Sequence, residues 1–318
     1  MPAPATRYGK SGSAGHSTTI EGDEHHGEHA MKVSCFTFLR NGEILGYPFV
    51  ESIRSALPLC DEFIVNVGPS EDRTIDMVRA IGDPKIRIIE SSWNEKMQVK
   101  GYVYGQQKNI AHFNCTGDWA FYLEGDEVLH EEDLPRIRAA MERHLEDDRV
   151  EALVFDYLHF YGNPWTYAWS PGWYRRAPRI IRNSLRSYSP DGLFFLVLET
   201  NKRGRYPRAA LADATIYHYG WVRSEDEMNR KAEKVERYWS KAPKRIDYSQ
   251  IDQSVLREFT GTHPAAMAGW LPMTPAPLFQ ADPDHDLTKR EKKHRILMKL
   301  EGLFGLELSK KHYKIINT

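Results

Sequence analysis

The sequence predicts an α/β fold, a mainly parallel sheet flanked by helices and followed by a helical extension. Three observations predict it. Apolar runs of strand length alternate with stretches of helical period from residue 33 to residue 157. Breaker residues separate the runs. Two polar clusters, at 66–74 and 124–127, follow directly on such runs, and in open α/β sheets ligands bind outside the carboxyl ends of strands.

Taken in order, residues 33–39 read as a buried strand. Ile44, Val50, Ile53 and Leu57 then recur at helical spacing, with Pro48 tolerated in a first turn. A second strand is expected at 63–67 and a short helix at 74–81, with Ile75 and Val78 inward and Gly82 as its stop. A third strand at 86–90, a helix at 104–113 and a fourth strand at 119–123 come next. Leu134, Ile137, Met141 and Leu145 mark another helix, and 152–157 a fifth strand. Beyond Tyr157 the regularity breaks. Aromatic residues crowd 157–174, and Arg175, Arg176, Arg179, Arg182 and Arg186 follow. Ser224 with Glu227 makes a capping box that opens a helix with Met228, Ala232, Val235 and Trp239 on one face. The remainder reads as helices and Pro-rich loops, with a charged helix at 289–300.

Composition narrows the function classes. The chain has 318 residues, 41% apolar and 27% charged, which supports a sizeable core. Its net charge of −1 disfavours a nucleic-acid partner. Cys35, Cys60 and Cys115 are scattered without metal spacing, as in a reduced cytoplasmic chain. No apolar run approaches the roughly 18 residues of a transmembrane segment, and no apolar signal region opens the chain. A cytoplasmic location is expected, with peripheral contact at the inner membrane face left open. Residues 1–30 lack large apolar side chains and are expected to form a disordered tail, in which His25, His26 and His29 are read as mobile.

The stretch Trp119-Ala-Phe-Tyr-Leu ends in Glu124, Asp126 and Glu127. Three carboxylates there repel one another unless a cation sits among them. Oxygen ligands suit Mg²⁺ or Mn²⁺, with a phosphate completing the shell. The other reading is a polar turn entering a helix, its acids near the positive end of the dipole.

Several blocks together resemble the family 2 glycosyltransferases of the GT-A fold, over about residues 31–222. The family pattern V-D-x-G-S-x-D-x-T is matched by Gly68, Ser70, Asp72 and Thr74, with Asn66 where Asp is usual. An Arg-Asn-like pair appears as Lys108-Asn109, followed by Gly117-Asp-Trp and by Glu124-Gly-Asp-Glu in place of D-x-D-E. Ile216-Tyr-His-Tyr-Gly resembles the I-x-H-x-G ending of bacterial members. The resemblance implies a nucleotide-sugar half at 31–150, an acceptor half at 151–222, and a helical extension at 223–318. It implies an inverting, metal-dependent, hexosyl-type transferase. The donor would be a UDP- or GDP-sugar, and the acceptor a glycan, lipid-linked or small-molecule hydroxyl in bacterial surface glycan assembly. Asp126, Glu124 and His218 would hold Mn²⁺ or Mg²⁺. Phe38, Arg40, Asn66, Gly68, Ser70, Asp72, Lys108, Asn109, Glu124, Gly125 and Arg182 would face the nucleotide-sugar. Asp191 is the first candidate for the general base; Asp156 and Glu127 are the further catalytic candidates, and Glu199 is also considered. A sugar nucleotidyltransferase would want a Gly-rich loop after the first strand, where only Gly42 occurs. A non-catalytic nucleotide-sugar binder is the remaining alternative.

Overall fold

Strand β1 (Val33–Leu39) lies inside the sheet, and all but one of its side chains are buried. A strand covered on both faces reads as a mostly apolar run, here Val33, Cys35, Phe36, Phe38 and Leu39 with the small polar Ser34 and Thr37 between them. The computed structural model describes residues 30–239 and 245–316. Apart from Ala30, the tail expected at 1–30 lies outside the described residues.

After β1 come α1 (Phe49–Ala56), β2 (Glu62–Val67), α2 (Thr74–Arg79), β3 (Ile86–Glu90), α3 (Tyr102–His112) and β4 (Trp119–Tyr122). Short β5 (Glu127–Leu129) and α4 (Leu134–Arg143) lead to β6 (Ala152–Tyr161), β7 (Asn163–Ala168) and β8 (Arg176–Arg182). A small antiparallel sheet of β9 (Ser187–Tyr188), β10 (Leu196–Thr200) and β11 (Arg203–Arg205) precedes the long β12 (Arg208–Trp221). Then follow α5 (Glu225–Val235), β13 (Leu256–Glu258), α6 (Lys289–Phe304) and β14 (Lys314–Ile315).

The main sheet runs β13-β7-β6-β8-β4-β1-β2-β3, with β12 also on β6. Pairing is parallel from β3 through β2 and β1 to β4, and antiparallel from β4 through β8, β6 and β7. β12 is parallel to β6 and antiparallel to β5. One face carries Phe49 and Ile53 of α1, Val78 of α2 and Ile137 and Met141 of α4 over Val33, Phe63, Phe121 and Leu153. The other carries Ala111 of α3, with Phe195 and Val197, over Phe36, Ile64 and Tyr122. The α/β layers expected from the sequence are present.

The segment after Tyr157 is strand where the sequence suggested irregularity. β6 continues to Tyr161, and its aromatic and β-branched residues suit a pleated, half-buried surface. The stretch after residue 222 holds the two helices expected of it, together with β13 and β14, which pair with β7 and β12. In β12 the register on β6 shifts between Leu211 and Thr215, where Asp213 takes a φ of 54°. Beneath β12, Tyr219 bonds His263 at 2.8 Å, and His130 bonds Thr262 at 3.0 Å. The 259–264 stretch is therefore a buttress.

Candidate functional site

Of the three acids after β4, Glu124 and Glu127 share one partner and Asp126 has others. Glu127 is fully buried. Its carboxylate accepts two bonds from Arg179, Nε at 2.9 Å and Nη2 at 2.5 Å, and one from the Tyr157 hydroxyl at 2.9 Å. The backbone N–H of Glu124 adds a fourth at 3.1 Å. Glu124 Oε1 accepts from the same guanidinium at 2.8 Å. Arg179, itself 1% exposed, lies over the rings of Tyr122 and Tyr157. The repulsion foreseen in the sequence is thus offset by a guanidinium on β8. Burial, and then the charge of Glu127, push the Glu124 carboxyl up to about 8.

Asp126 turns the other way. His218 Nε2 lies 3.6 Å from its Oδ1, and Lys231 Nζ lies 3.4 Å from its Oδ2. Pairing of β12 with β5 sets His218 opposite Glu127, and the Tyr219 N–H donates to the Asp126 carbonyl at 2.8 Å. A Cβ at Gly220 would stand 2.6 Å from His218 Nε2 and 2.9 Å from Asp126 Oδ2, so only glycine leaves this space open. Burial pushes the Asp126 carboxyl up, but Lys231, His218 and Arg223 outweigh it and hold the group below the usual range. Burial lowers Lys231 to about 8 against the pull of Asp126.

A second histidine fixes the first. His159 Nε2 faces the Tyr174 carbonyl at 2.7 Å, so that nitrogen donates. Burial holds His159 well below the usual imidazole range, hence neutral, and its Nδ1 accepts. His218 Nδ1, 2.9 Å away, must then donate. The chain of bonds leaves the His218 Nε2 lone pair facing Asp126.

These residues fit a divalent cation only in part by themselves. Among the described residues no group of three His, Cys, Asp or Glu converges as a metal site. A nucleotide-bound Mg²⁺ or Mn²⁺ takes one or two protein ligands and completes its shell with phosphate and water. Asp126 and His218 meet that requirement. Glu124 Oε1 is already engaged by Arg179.

A cleft of about 620 Å³ opens above this group, lined by Phe38, Arg40, Glu124, Gly125, Asp126, Asp191 and His218 from the sequence expectation. It also draws on Tyr47, Trp93, Tyr104, Trp173, Tyr174 and Lys231. Asp191 is half-buried, and burial raises its pKa above the usual value. Its loop is held from below by α3. Lys108 Nζ donates to the Gly192 carbonyl at 3.1 Å, and Asn109 exchanges two bonds with Ser189, at 2.8 and 2.9 Å. Lys108 is fully buried over the Tyr122 and Phe195 rings. The pair expected at the nucleotide-sugar therefore supports the Asp191 loop.

Other expected residues have structural partners. Asn66 is fully buried, and its amide donates to Gln107. Ser70 accepts from the Asn41 N–H, Asp72 from Ile44 and Thr74 from Gly42, which ties the loop after β1 to the loop after β2. Gly68 leaves room for Trp93, whose ring a Cβ would meet at 2.9 Å. Arg182 stacks on Trp119 and donates to the carbonyls of His144, Leu145, Asp147 and Val150. It neutralises the carbonyl end of α4 and has no donor turned to the cleft. Asp156 is exposed and paired with Arg176 at 2.6 Å, because alternation on β6 turns it away from the cleft. Glu199 pairs with Arg205 on the small sheet. Glu127 is enclosed by its four bonds and cannot reach an acceptor.

Residues 47–197 match the family model described as glycosyl transferase family 2. Among curated proteins, none matches the sequence. Similar solved structures include S. aureus TarS 1–349 in complex with UDP, at 16% identity and TM-score 0.39, covering 64% of each chain. Another is glucosyl-3-phosphoglycerate synthase from Mycobacterium tuberculosis with Mn²⁺, UDP and phosphoglyceric acid, at 18% identity and TM-score 0.29, covering 41% of this chain and 43% of that one. The chain thus spans less than two thirds of either.

Proposed function

We propose that the protein, whose residues 47–197 match the family model described as glycosyl transferase family 2, moves a sugar from a nucleotide-sugar to a hydroxyl acceptor with inversion. The observation that carries the reading is Asp126, flanked by His218 and Lys231, in a cleft shared with Asp191.

Asp126 Oδ1 and His218 Nε2 would hold Mn²⁺ or Mg²⁺. When bound, that ion offsets the negative charge that builds on the departing diphosphate. Lys231 supplies a fixed positive charge beside the same carboxylate. Trp93, Tyr104 and Phe38 offer ring faces for the base, and Trp173 and Tyr174 for a sugar ring. Asp191 takes the acceptor hydroxyl proton, and a burial-raised pKa suits a proton acceptor. The new C–O bond forms as the anomeric carbon–phosphate oxygen bond breaks on the opposite face, and the nucleoside diphosphate leaves.

The rival reading is a non-catalytic binder, favoured by the inward amide of Asn66 and the Arg179-bound Glu124. Nucleotide release over a panel of UDP- and GDP-sugars, with Mn²⁺ or Mg²⁺, separates the two. The transferase releases nucleotide, and Asp126→Asn lowers the rate by about 100-fold or more. Binding without release on any donor supports the binder, and release untouched by Asp126→Asn sinks the metal assignment.

A further inference from the structure

Helix α6 is inside out. A surface helix buries its apolar stripe and shows its charges, yet no residue of α6 is buried. The side that meets the protein is made of Glu291, His294, Arg295, Met298 and Glu301, recurring every three or four residues. Arg295 pairs with Asp252 at 2.6 and 2.7 Å, Glu291 with His285 at 3.1 Å, and Glu301 with Arg175. Met298 packs among the side chains around Tyr161 and Tyr248. The opposite side carries Ile296, Leu300, Leu303 and Phe304, which are 61%, 37%, 76% and 68% exposed. Leu306, 58% exposed, continues the patch.

At 100° per residue, Lys289, Lys292, Lys293 and Lys299 fall on that same outward side. None of the four pairs with a carboxylate among the described residues. Lys and Arg outnumber Glu six to two in α6, within a chain whose net charge is −1. The positive charge is therefore local to the apolar stripe.

We infer that the outward face of α6 docks on an anionic lipid surface, with Ile296, Leu303 and Phe304 entering the headgroup boundary and the lysines at phosphate level. Charge complementarity selects this occupant. Apolar side chains edged by lysines suit an interfacial helix, and each basic group near an anionic leaflet adds about 1 kcal/mol, a factor of about five. A second copy meeting through this face would set the same lysines against one another. The inference stands apart from the reading of the cleft, but the two adjoin. A side chain at Gly172 would strike the His294 ring, and Arg175 holds Glu301. Between them, Trp173 and Tyr174 line the cleft.

Flotation of the full chain with vesicles tests it. Phosphatidylcholine containing about 30% phosphatidylglycerol should carry the protein upward, pure phosphatidylcholine should not, and added salt should weaken the association. Lys292→Glu with Lys293→Glu, and separately Leu303→Ser with Phe304→Ser, should each lower the partition coefficient at least about tenfold. Thermal unfolding and lipid-free nucleotide release should stay unchanged. Failure of the unaltered protein to float with anionic vesicles overturns the inference. So does a concentration-dependent dimer that Leu303→Ser with Phe304→Ser abolishes, or flotation that both double variants retain.

Discussion

Replacing Arg179 by methionine removes the charge around which the acid cluster folds. Its guanidinium serves two carboxylates, Glu127 through two bonds and Glu124 at 2.8 Å. At the 2.9 Å between Arg179 Nε and Glu127 and an effective dielectric of about 20, that charge pair is worth about 6 kcal/mol before desolvation. Desolvation offsets much of this, and removing one member of a buried pair costs about 3–5 kcal/mol in practice. At about 2–4 °C per kcal/mol for a chain somewhat smaller than this one, Arg179→Met should lower Tm by about 6–20 °C. The double variant Arg179→Met, Glu127→Gln should regain a good part of the loss, because it leaves fewer uncompensated charges. Thermal unfolding of the three proteins by circular dichroism reads these differences. A fall of less than about 2 °C refutes the reasoning. A rise in Tm on adding millimolar Mn²⁺ that is much larger for Arg179→Met than for the unaltered protein would also refute it, since the cation among Glu124 and Glu127 would then be a metal.

The other outcomes concern the cleft. His159→Phe removes the acceptor for His218 Nδ1 and should weaken Mn²⁺ binding, measured calorimetrically with nucleoside diphosphate present, by about 10–100-fold. An unchanged affinity would leave His159 a packing residue. Asp191→Asn should cut turnover by about 10²–10⁴-fold while donor binding persists. In the unaltered protein, burial raises the Asp191 pKa, so the acid limb of kcat should lie above the ordinary carboxylate value of about 3.9. Activity is then present above that raised value and lost as pH falls through it; a limb at or below 3.9 would exclude Asp191 as the base.

Local rules made the first half of the fold legible. The strands at 33–39, 63–67 and 86–90 are short, mostly apolar runs, and the capping box at Ser224 forms as expected. The long β12 was not legible because its first half buries Ala209, Ala210, Ala212 and Ala214, poor strand formers, and exposes Leu211, and because its partners β5 and β6 are far away in sequence. Of the candidate site, Asp126 and His218 were expected from motif order, and Asp191 from its place in the acceptor half. His159 and Arg179 were missed as site residues, since each acts through a contact made across the sheet. The arginine run places Arg179 and Arg182 on either side of the apolar pair Ile180-Ile181. It gave no sign that one binds acids and the other the carbonyls ending α4. Lys231 was also missed, since only α5 folding back brings it to Asp126.

The register shift in β12 bears on how far this chain tolerates changes of length. From Leu211 to Thr215 β12 advances four residues while β6 advances two, from Val154 to Asp156. The surplus is even, so the side-chain phase of β12 is conserved through the irregularity. Loss of one residue beside Asp213 would turn His218 to the opposite face and withdraw its imidazole from Asp126. Loss of two would keep the face and remove only the irregularity. Homologues that differ in length here should therefore differ by pairs of residues wherever the histidine still meets its aspartate.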